Sequence, residues 1–383
     1  MDRDRRRRVK REIVSLCSSG LDVDTLYREA MRQVSRLVPY DRICWHTVDP
    51  VTKLLTSATE HNLGHEPRLP AYEYEIPDVN KWAYLAGRPL PAGVLSHATH
   101  GHPEQSPRFR DLLAPRGIAH ELRASLVSEN RCWGCLGLFR DRGGLDFAEE
   151  EAAFVAETGA QIAAGIRRAL LLNALAMPRP SSDVPGVLIL DAAGDISAMN
   201  ATAGELISLF PDDCEPPAQP VPHIVLAVAA QARRAACGSD ETPARSRART
   251  LTGQWVVLHG TRLGDMPGAP TAVIIEPARS AELAELIVLA YGFTPREREV
   301  TRLVVLGLST TDIAQKLHLS PFTVQDYLKN IFDKVGVRTR RELVATVFRD
   351  HYWPRVLASE KASAGGFFDT RHTTPAATPD ADR

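Results

Sequence analysis

One short segment carries four side chains that could bind the edges of nucleic-acid bases. They recur at helical spacing, and at about 100° per residue they fall on one face of a helix: Phe322, Gln325, Asp326 and Lys329. Glutamine can bond adenine at two atoms, lysine can bond guanine, aspartate can accept from cytosine, and phenylalanine can touch a thymine methyl group. The segment therefore predicts a helix whose exposed face reads base edges.

Four short helices are predicted around this segment, between residues 293 and 348. Three of them begin at a hydroxyl residue with an acid three positions later, a pairing that caps a helix and suits its positive end. Those hydroxyl residues are Thr294, Ser309 and Thr339. Ser320 before Pro321 marks the start of the remaining helix, because proline is tolerated at the first helical position. Gly307 and Gly336 fall where helices should end.

The second and third helices are interpreted as a helix-turn-helix. The small residue Ala314 lets them approach closely, and His318 with Leu319 forms the turn. Apolar residues of the two helices must face the core: Ile313, Leu317, Val324, Leu328, Ile331 and Val335. The second helix of such a motif enters the major groove, so the opposite face of this helix is available for reading.

The stretch resembles the DNA-binding domain of LuxR-type (GerE-like) bacterial transcription regulators. The matching pieces are TPREREV, GLSTTDIA, LSPFTV and KVGVRTRREL. The resemblance implies a four-helix domain over residues 291–353 whose last helix commonly pairs two copies. Gln325 is often lysine in such domains and Tyr327 is often histidine, so the target sequence cannot be carried over from a relative.

Contacts with DNA and with a second copy of the chain are predicted within this domain. The predicted DNA-binding residues are Thr310, Thr311, Phe322, Thr323, Gln325, Asp326, Lys329, Arg338 and Arg340. In the last helix Leu343 and Val347 should fill the core, while the edge of the apolar arc is left for a second copy. The predicted dimer-interface residues are Val344, Val347 and Phe348. The expected partner is double-stranded DNA bound by a homodimer, with RNA polymerase as a further candidate.

Charge and composition exclude several protein classes. The net charge is −1 over 383 residues, yet residues 291–353 carry +3, the local basic bias of a DNA-reading module. No run of about 18 apolar residues predicts a membrane span, and MDRDRRRRVKRE lacks the apolar core of a secretory signal. Six irregularly spaced cysteines indicate a reducing compartment and free thiols, so we expect a cytoplasmic protein.

Residues 21–176 predict an α+β sensor module. The pattern predicts a helix from Leu21, strands at 42–48 and 54–59, and a sparsely patterned region at 61–117 that contains a short helix at 81–86. Two further strands at 121–128 and 132–140 and a closing helix at 148–176 follow. This order, with VPYDRICWHTVD and CWGCLGLFRDRGGLDFAEEEAAFVAETGAQIAAGI, resembles a GAF domain. The resemblance implies a small-ligand pocket or a dimerisation element and does not identify a ligand. The long helix carries an apolar stripe that could form a second dimer seam: Phe154, Ile162, Ile166 and Leu170.

Residues 1–20 form a basic segment, interpreted as a solvated helix start or, alternatively, a phosphate-binding arm. After the first sensor comes a linker at 177–183, and then residues 184–279 predict a second α/β sensor. Its opening, VPGVLILDAAGDISAMNATAGELISLF, resembles a PAS domain, with later strands at 254–260 and 271–276. A connecting helix at 280–290 precedes the DNA-binding domain, and the tail at 354–383 should be disordered.

Metal and redox chemistry is weighed at three places and not predicted. Cys132 and Cys135 form a CxxC motif on a strand, where residues three apart point to opposite faces, so the sulfurs should diverge. Three histidines cluster in the irregular region and are interpreted as a polar loop: His97, His100 and His102. His223 and His259 are interpreted as ordinary histidines rather than haem ligands. No metal and no cofactor are expected, and any small ligand of the sensors is unidentified.

Together these observations predict a multidomain α+β protein with two α/β sensors and an all-α four-helix domain containing a helix-turn-helix. The predicted function is a one-component, sequence-specific transcriptional regulator whose ligand shifts a dimer between arrangements. No GxxxxGK[ST], GxSxG or HExxH signature is present, so no enzymatic activity is expected. The alternative is a protein-binding signalling adaptor whose four-helix domain dimerises without reading DNA.

Overall fold

The computed structural model describes residues 3–174, 184–210, 221–238, 242–266, 268–278 and 289–347, with Glu282 and Leu286. The chain divides into two compact units, Met1–Ala278 and Arg279–Arg383. The predicted linker at 177–183, most of the predicted connecting helix at 280–290 and the predicted tail at 354–383 lie outside the described residues.

The first unit begins with a domain built on a five-stranded antiparallel sheet. In chain order its elements are α1 (Arg3–Ser18), α2 (Val23–Val34), β1 (Arg42–Thr47), β2 (Thr59–His61), α3 (Leu69–Tyr74), α4 (Trp82–Leu85), β3 (Ala92–Val94), α5 (Leu95–Ala98), β4 (Ile118–Ser128), β5 (Arg131–Asp141) and α6 (Glu149–Ala174). The strand order is β2-β1-β5-β4-β3. Helix α6 packs on β4 and on α1 and α2, whereas α4 and α5 also contact β4.

The two faces of this sheet are separated by the alternation of side chains along β1. Trp45 stacks on Tyr27 of α2, with ring centroids 5.7 Å apart. Its neighbour His46 lies 5.0 Å from the ring of Trp82 in α4. Helices α2 and α4 therefore cover opposite faces of the sheet.

The structure confirms the predicted strand over 42–48 and differs over 54–59. Leu55 forms only an isolated bridge with Val48, and strand β2 begins at Thr59. The N–H of Leu55 donates to the hydroxyl of Tyr74 at 2.9 Å, so it is not available to a neighbouring strand. The predicted strand is thus reduced to the bridge at Leu55 and the short strand β2.

The predicted dimer seam along α6 is wrong, because most of that stripe lies in the core of its own subunit. Phe154, Ile162 and Ile166 are at most 1% exposed. Gly165 permits the close packing: a Cβ there would lie 2.7 Å from the side chain of Leu26. The apolar face of α6 is therefore occupied by α1, α2 and the sheet.

A second domain follows in the same unit. Its elements are β6 (Gly186–Leu190), β7 (Ile196–Met199), α7 (Ala201–Ile207), α8 (His223–Ala236), β8 (Arg245–Arg249), β9 (Trp255–Arg262) and β10 (Thr271–Pro277). The strand, turn, strand and helix predicted for its opening are confirmed, and Asn200 caps α7 by accepting from the N–H of Ala203 at 2.9 Å. The sheet order is β7-β6-β10-β9-β8, the same positional order as in the first sheet.

The two domains of the first unit share an extensive interface. Helix α8 packs on α3, and one hydrophobic cluster includes Tyr72 and Trp82 together with Leu226 and Val228. The guanidinium of Arg247 donates to both carboxylate oxygens of Asp49, at 2.8 and 2.9 Å, and both side chains are at most 3% exposed. Burial alone would raise the pKa of Asp49, but Arg247 lowers it below the usual value.

The second unit contains four described helices, as predicted: α9 (Pro295–Val305), α10 (Thr310–Leu317), α11 (Pro321–Val335) and α12 (Arg340–Val347). Capping boxes are present at Thr294 with Glu297 and at Ser309 with Asp312. The hydroxyl of Thr339 accepts from the N–H of Glu342 at 3.2 Å. Fully buried apolar residues from all four helices form the core: Val300, Leu303, Val304, Ile313, Val324, Ile331 and Leu343.

Candidate nucleic-acid interface

Helix α11 is fixed at both ends by local interactions that its sequence dictates. The hydroxyl of Ser320 accepts from the N–H of Thr323 at 3.0 Å, which starts the helix. His318, in the turn before it, adopts the left-handed conformation with φ of 54°. Gly336 ends the helix with φ of 74°, a conformation that glycine adopts without a steric cost. The helix-turn-helix is therefore formed as predicted.

The exposed face of α11 contains the predicted base-reading residues. Val324 and Ile331 are fully buried and Leu328 is 8% exposed, which fixes the rotation of the helix. Four residues on the other side are exposed: Phe322, Gln325, Asp326 and Lys329. Phe322 is 72% exposed, so its ring is accessible on this face.

Thr323 and the threonines of α10 stand at helix starts. The hydroxyl of Thr323 lies 2.8 Å from that of Ser320, so it already takes part in the cap. Thr310 is half-buried and Thr311 is exposed in the first turn of α10. The positive end of a helix suits a phosphate group, which supports a backbone-contacting role for this turn.

The two predicted arginines have different surroundings. Arg338 is exposed, and its backbone N–H donates to the carboxylate of Glu342 at 2.8 Å. Arg340 is half-buried and its guanidinium donates to the carbonyl of Leu308, in the connection between α9 and α10. Burial lowers the pKa of Arg340. One guanidinium nitrogen of Arg340 thus supports the fold of the domain.

Sequence reasoning missed the ion pair that joins α11 to α9. The ammonium of Lys334 donates to the carboxylate of Glu297 at 2.7 Å and to the carbonyl of Gly292 at 2.9 Å. The same carboxylate accepts from the N–H of Thr294 at 2.7 Å. Burial alone would raise the pKa of Glu297, but the hydrogen bonds from Lys334 and Thr294 lower it. Glu297 therefore caps α9 and also anchors α11.

The predicted dimer-interface residues are described only in part. Leu343 is fully buried, as expected of a core residue, and Val344 is half-buried. The side chain of Val347 and the whole of Phe348 lie outside the described residues.

The sheet face of the first domain that contacts α4 is filled by buried ion pairs. Arg108 donates to Asp78 at 3.2 Å and to Glu121 at 2.7 Å. Arg123 donates to Glu73 at 2.8 Å, and its guanidinium carbon lies 3.6 Å from the centroid of the Trp82 ring. The cavity left beside these groups is only about 20 Å³.

A larger cavity of about 720 Å³ lies on the opposite face of this sheet. It is lined by Met31, Ile43 and Trp45 of the first domain and by Phe210 and Leu251 of the second. Its volume is within the range of small-molecule sites. This open groove is one candidate ligand site of the first unit.

Two cysteines and two histidines considered for metal or redox chemistry lie in surroundings that do not favour it. Cys132 and Cys135 are buried free thiols. Burial raises the pKa of Cys132 to about 12 and raises that of Cys135 well above its ordinary value, which disfavours the reactive thiolate. His97 and His100 are exposed, and within the described residues they belong to no set of three ligands that could hold a metal.

Comparisons with known proteins agree with this geometry. The family described as bacterial regulatory proteins, luxR family, matches residues 292–347, and the GAF domain family matches residues 22–166. Spore germination protein GerE of Bacillus subtilis is 39% identical over 56 residues, which cover 15% of this chain and 76% of that protein. No helix in the described part of the chain is long and apolar enough to cross a membrane.

Two further similarities are more limited. A Mycobacterium bovis protein named as an HTH-type transcriptional regulator is 51% identical over 53 residues, which cover 14% of this chain and only 6% of that protein. The GAF domain of a phosphoenolpyruvate-protein phosphotransferase from Coxiella burnetii aligns at 17% identity over 45% of this chain and 99% of that structure. The TM-score of this alignment is 0.32, which is too low to support a conclusion about this chain. On the evidence of the helix-turn-helix domain and its match to GerE, this chain belongs to the luxR family of bacterial regulatory proteins and carries a GAF domain before its DNA-binding domain.

Proposed function

We propose that this chain is a cytoplasmic, one-component transcriptional regulator that reads double-stranded DNA with the exposed face of α11. The observation that carries the proposal is the exposure of Phe322, Gln325 and Lys329 on a helix whose other side is buried. A glutamine and a lysine on such a face suit purine edges in the major groove. The capped and anchored ends of α11 hold that face in a fixed orientation, which base readout requires.

The exposed face of α11 also contains an acid, which affects the DNA sequences that this face can bind. Asp326 is exposed between Gln325 and Lys329, and a carboxylate near DNA phosphates is repelled unless it accepts a hydrogen bond. Cytosine N4 is the usual base donor to a carboxylate in the major groove, and adenine N6 is the other. Asp326 therefore supports selection for particular sequences rather than general affinity for DNA.

One reading helix makes few base contacts, so the proposed DNA-bound form is a homodimer on two half-sites about one DNA turn apart. The edge of α12 is the proposed pairing surface. The half-buried Val344 supports it, and Val347 and Phe348 remain sequence-based members of this surface. RNA polymerase is the proposed partner of an activating form.

The first unit is the proposed sensor. Its two sheets have the same strand order, and the strand-turn-strand opening followed by the Asn200 cap supports a PAS-like second domain. The cavity of about 720 Å³ lies where residues of both domains meet. A ligand held there would alter the fit between the two domains, which gives the signal a route within this unit.

The test is selection of duplexes from a random-sequence pool by the full chain, followed by titration of the best duplex at several salt concentrations. Specific binding should weaken log-linearly with salt. Gln325→Ala should cost about 1–3 kcal/mol on the best duplex and relax preference at one position. Equal weakening on every sequence would make Gln325 a phosphate contact. No binding at any salt concentration would favour the adaptor alternative, in which the domain only dimerises.

A further inference from the structure

Helix α1 packs on the first domain and is not a free arm. Val9 and Ile13 are fully buried and Cys17 is 7% exposed, because residues four apart share one face of a helix. On a neighbouring face Arg6 and Lys10 both pair with Glu157 of α6. The basic character of residues 3–18 is therefore partly used to attach the helix to its own domain.

The outward face of α1 carries cations that the domain does not use. Arg3, Arg7 and Arg11 are exposed and follow one another at four-residue spacing, so they form a line along the helix, named here the α1 arginine stripe. None of the three forms an ion pair or hydrogen bond with any residue in the described ranges. By contrast, Arg8 on the same helix pairs with Glu12 at 3.1 Å.

The stripe opposes the stability of the helix that carries it. A helix N-terminus is positive and favours acids, yet Arg3 and Arg7 lie in the first two turns, with Asp4 as the acid of the first turn. Like charges four residues apart also repel each other. Both penalties disappear when an anionic partner lies along the stripe, which points to binding of a polyanion.

We propose that the α1 arginine stripe binds the phosphate backbone of duplex DNA. This inference rests on the proposed DNA-binding function. The stripe spans about 12 Å at about 1.5 Å per residue, and duplex DNA presents one phosphate per about 3.4 Å of helix axis on each strand. Three guanidinium groups over that length can each reach a phosphate.

A membrane surface fits the same helix less well. Helices that lie in a bilayer interface bury a wide apolar face there, and the apolar face of α1 is occupied by α6. Val14, 40% exposed, is the large apolar side chain on the outward side. Charge alone therefore has to hold the partner, as in contacts with a nucleic-acid backbone.

The test uses the full chain with Arg3→Gln, Arg7→Gln and Arg11→Gln combined. The duplex is the one selected by the wild-type chain, extended on both sides. The logarithm of affinity should depend less steeply on the logarithm of salt, with the slope smaller by about 2–3, since each lost phosphate contact contributes about 0.9. Preference among sequences should stay unchanged, because phosphate contacts carry no sequence information.

A control removes the same formal charge from exposed arginines that have partners of their own, by Arg88→Gln, Arg110→Gln and Arg142→Gln combined. This control should retain the wild-type slope. Substitution of the three stripe positions by lysine instead of glutamine should restore the slope, because charge is kept. The melting temperature of the glutamine variant should be unchanged or higher, so that unfolding does not explain its weaker binding.

Three results would overturn the proposal. An unchanged slope in the glutamine variant, while Lys329→Gln still weakens binding, would show that the stripe does not bind DNA. The proposed function would then still stand. The same decrease in slope in the control would show an effect of net charge alone. Loss of binding to phosphatidylserine vesicles, with DNA binding intact, would assign the stripe to a membrane. Failure of the wild-type chain to bind any duplex would instead refute the proposed function itself.

Discussion

Replacing Lys334 with methionine tests whether the reading helix is anchored by its ion pair to α9. The ammonium of Lys334 is 2.7 Å from the carboxylate of Glu297 and 2.9 Å from the carbonyl of Gly292. Methionine keeps the apolar length of the side chain and removes all its donors. Within the described residues, the side chain of Glu297, which is 5% exposed, would keep only the N–H of Thr294 as a hydrogen-bond donor.

The size of the effect follows from the burial of the two partners. Hydrogen bonds to charged groups contribute about 1.5–3 kcal/mol, and removing one partner of a fully buried pair costs about 3–5 kcal/mol. The side chain of Lys334 is 27% exposed, so water replaces part of what is lost. We expect Lys334→Met to lower the unfolding free energy of the second unit by about 1–3 kcal/mol.

Hydrogen exchange of the full chain, followed by mass spectrometry on peptides from α9 and α11, measures the loss of unfolding free energy within the intact protein. Exchange should become about 5- to 150-fold faster. Lys329→Met is the matched control, since Lys329 is exposed on the same helix and makes no hydrogen bond or ion pair within the described residues. If the two variants exchange at the same rate, the ion pair does not anchor α11.

The pH dependence has a defined sign. The pKa of Glu297 is lowered in the folded chain, so its contribution is present above the unfolded value of about 4.3 and is lost as pH falls through the folded value. Lys334→Met removes a group that lowers this pKa. The difference in exchange between wild type and variant should therefore shrink below about pH 4, and a constant difference would contradict the assignment.

Three further predictions concern helix starts, the domain interface and assembly. Removing a capping hydroxyl should cost about 0.5–2 kcal/mol and speed exchange in the helix that follows, for Thr294→Ala, Ser309→Ala and Ser320→Ala; unchanged exchange in all three would mean that the helices begin elsewhere. Asp49→Asn should destabilise the first unit by up to about 5 kcal/mol, because it leaves the buried Arg247 without its carboxylate, whereas Glu75→Gln, at the half-exposed pair with Arg233, should cost about 1 kcal/mol or less. Urea unfolding followed by tryptophan fluorescence compares them, and equal losses would contradict the role of the buried pair. Val344→Asp should change the sedimenting complex on an inverted-repeat duplex from two copies to one; an unchanged mass would refute pairing through α12.

The helix-turn-helix could be predicted because its signals are local. A hydroxyl and an acid three positions apart mark a helix start wherever they occur, and Gly336 marks a stop through its own backbone conformation. Apolar periodicity then fixed the rotation of α11, so the exposure of Gln325 and Lys329 followed. Each of these signals lies within about one helical turn of the residue it specifies.

The features that escaped prediction depend on residues distant in sequence. Lys334 and Glu297 are 37 positions apart, and no local pattern links them. Leu55 forms only an isolated bridge, and its N–H bonds the hydroxyl of Tyr74, 19 residues later. The position of Arg340 in the sequence predicts a contact with DNA. Its bond to the Leu308 carbonyl could not be predicted, because that bond depends on the packing of α12.

Helix α1 is a different case, because its signal was present in the sequence. Val9, Ile13 and Cys17 recur every four residues and predict one buried face. The arginines around them give the same segment a strong positive charge, which on its own predicts a solvated helix start. Reading both patterns together separates the cations that pair with Glu157 from those that face outward.

Gln325 on α11 is proposed to contact base edges in the major groove. The most direct measurement is a scan of the selected duplex in which each purine in turn is replaced by its 7-deaza analogue, which lacks the N7 acceptor in that groove. At one adenine the replacement should weaken binding of the wild-type chain by about 1 kcal/mol or more and leave Gln325→Ala unaffected, because side chain and atom then form one coupled pair. If wild type and Gln325→Ala lose affinity equally at every purine, Gln325 contacts no purine N7, and the claim that it bonds an adenine in the major groove is contradicted.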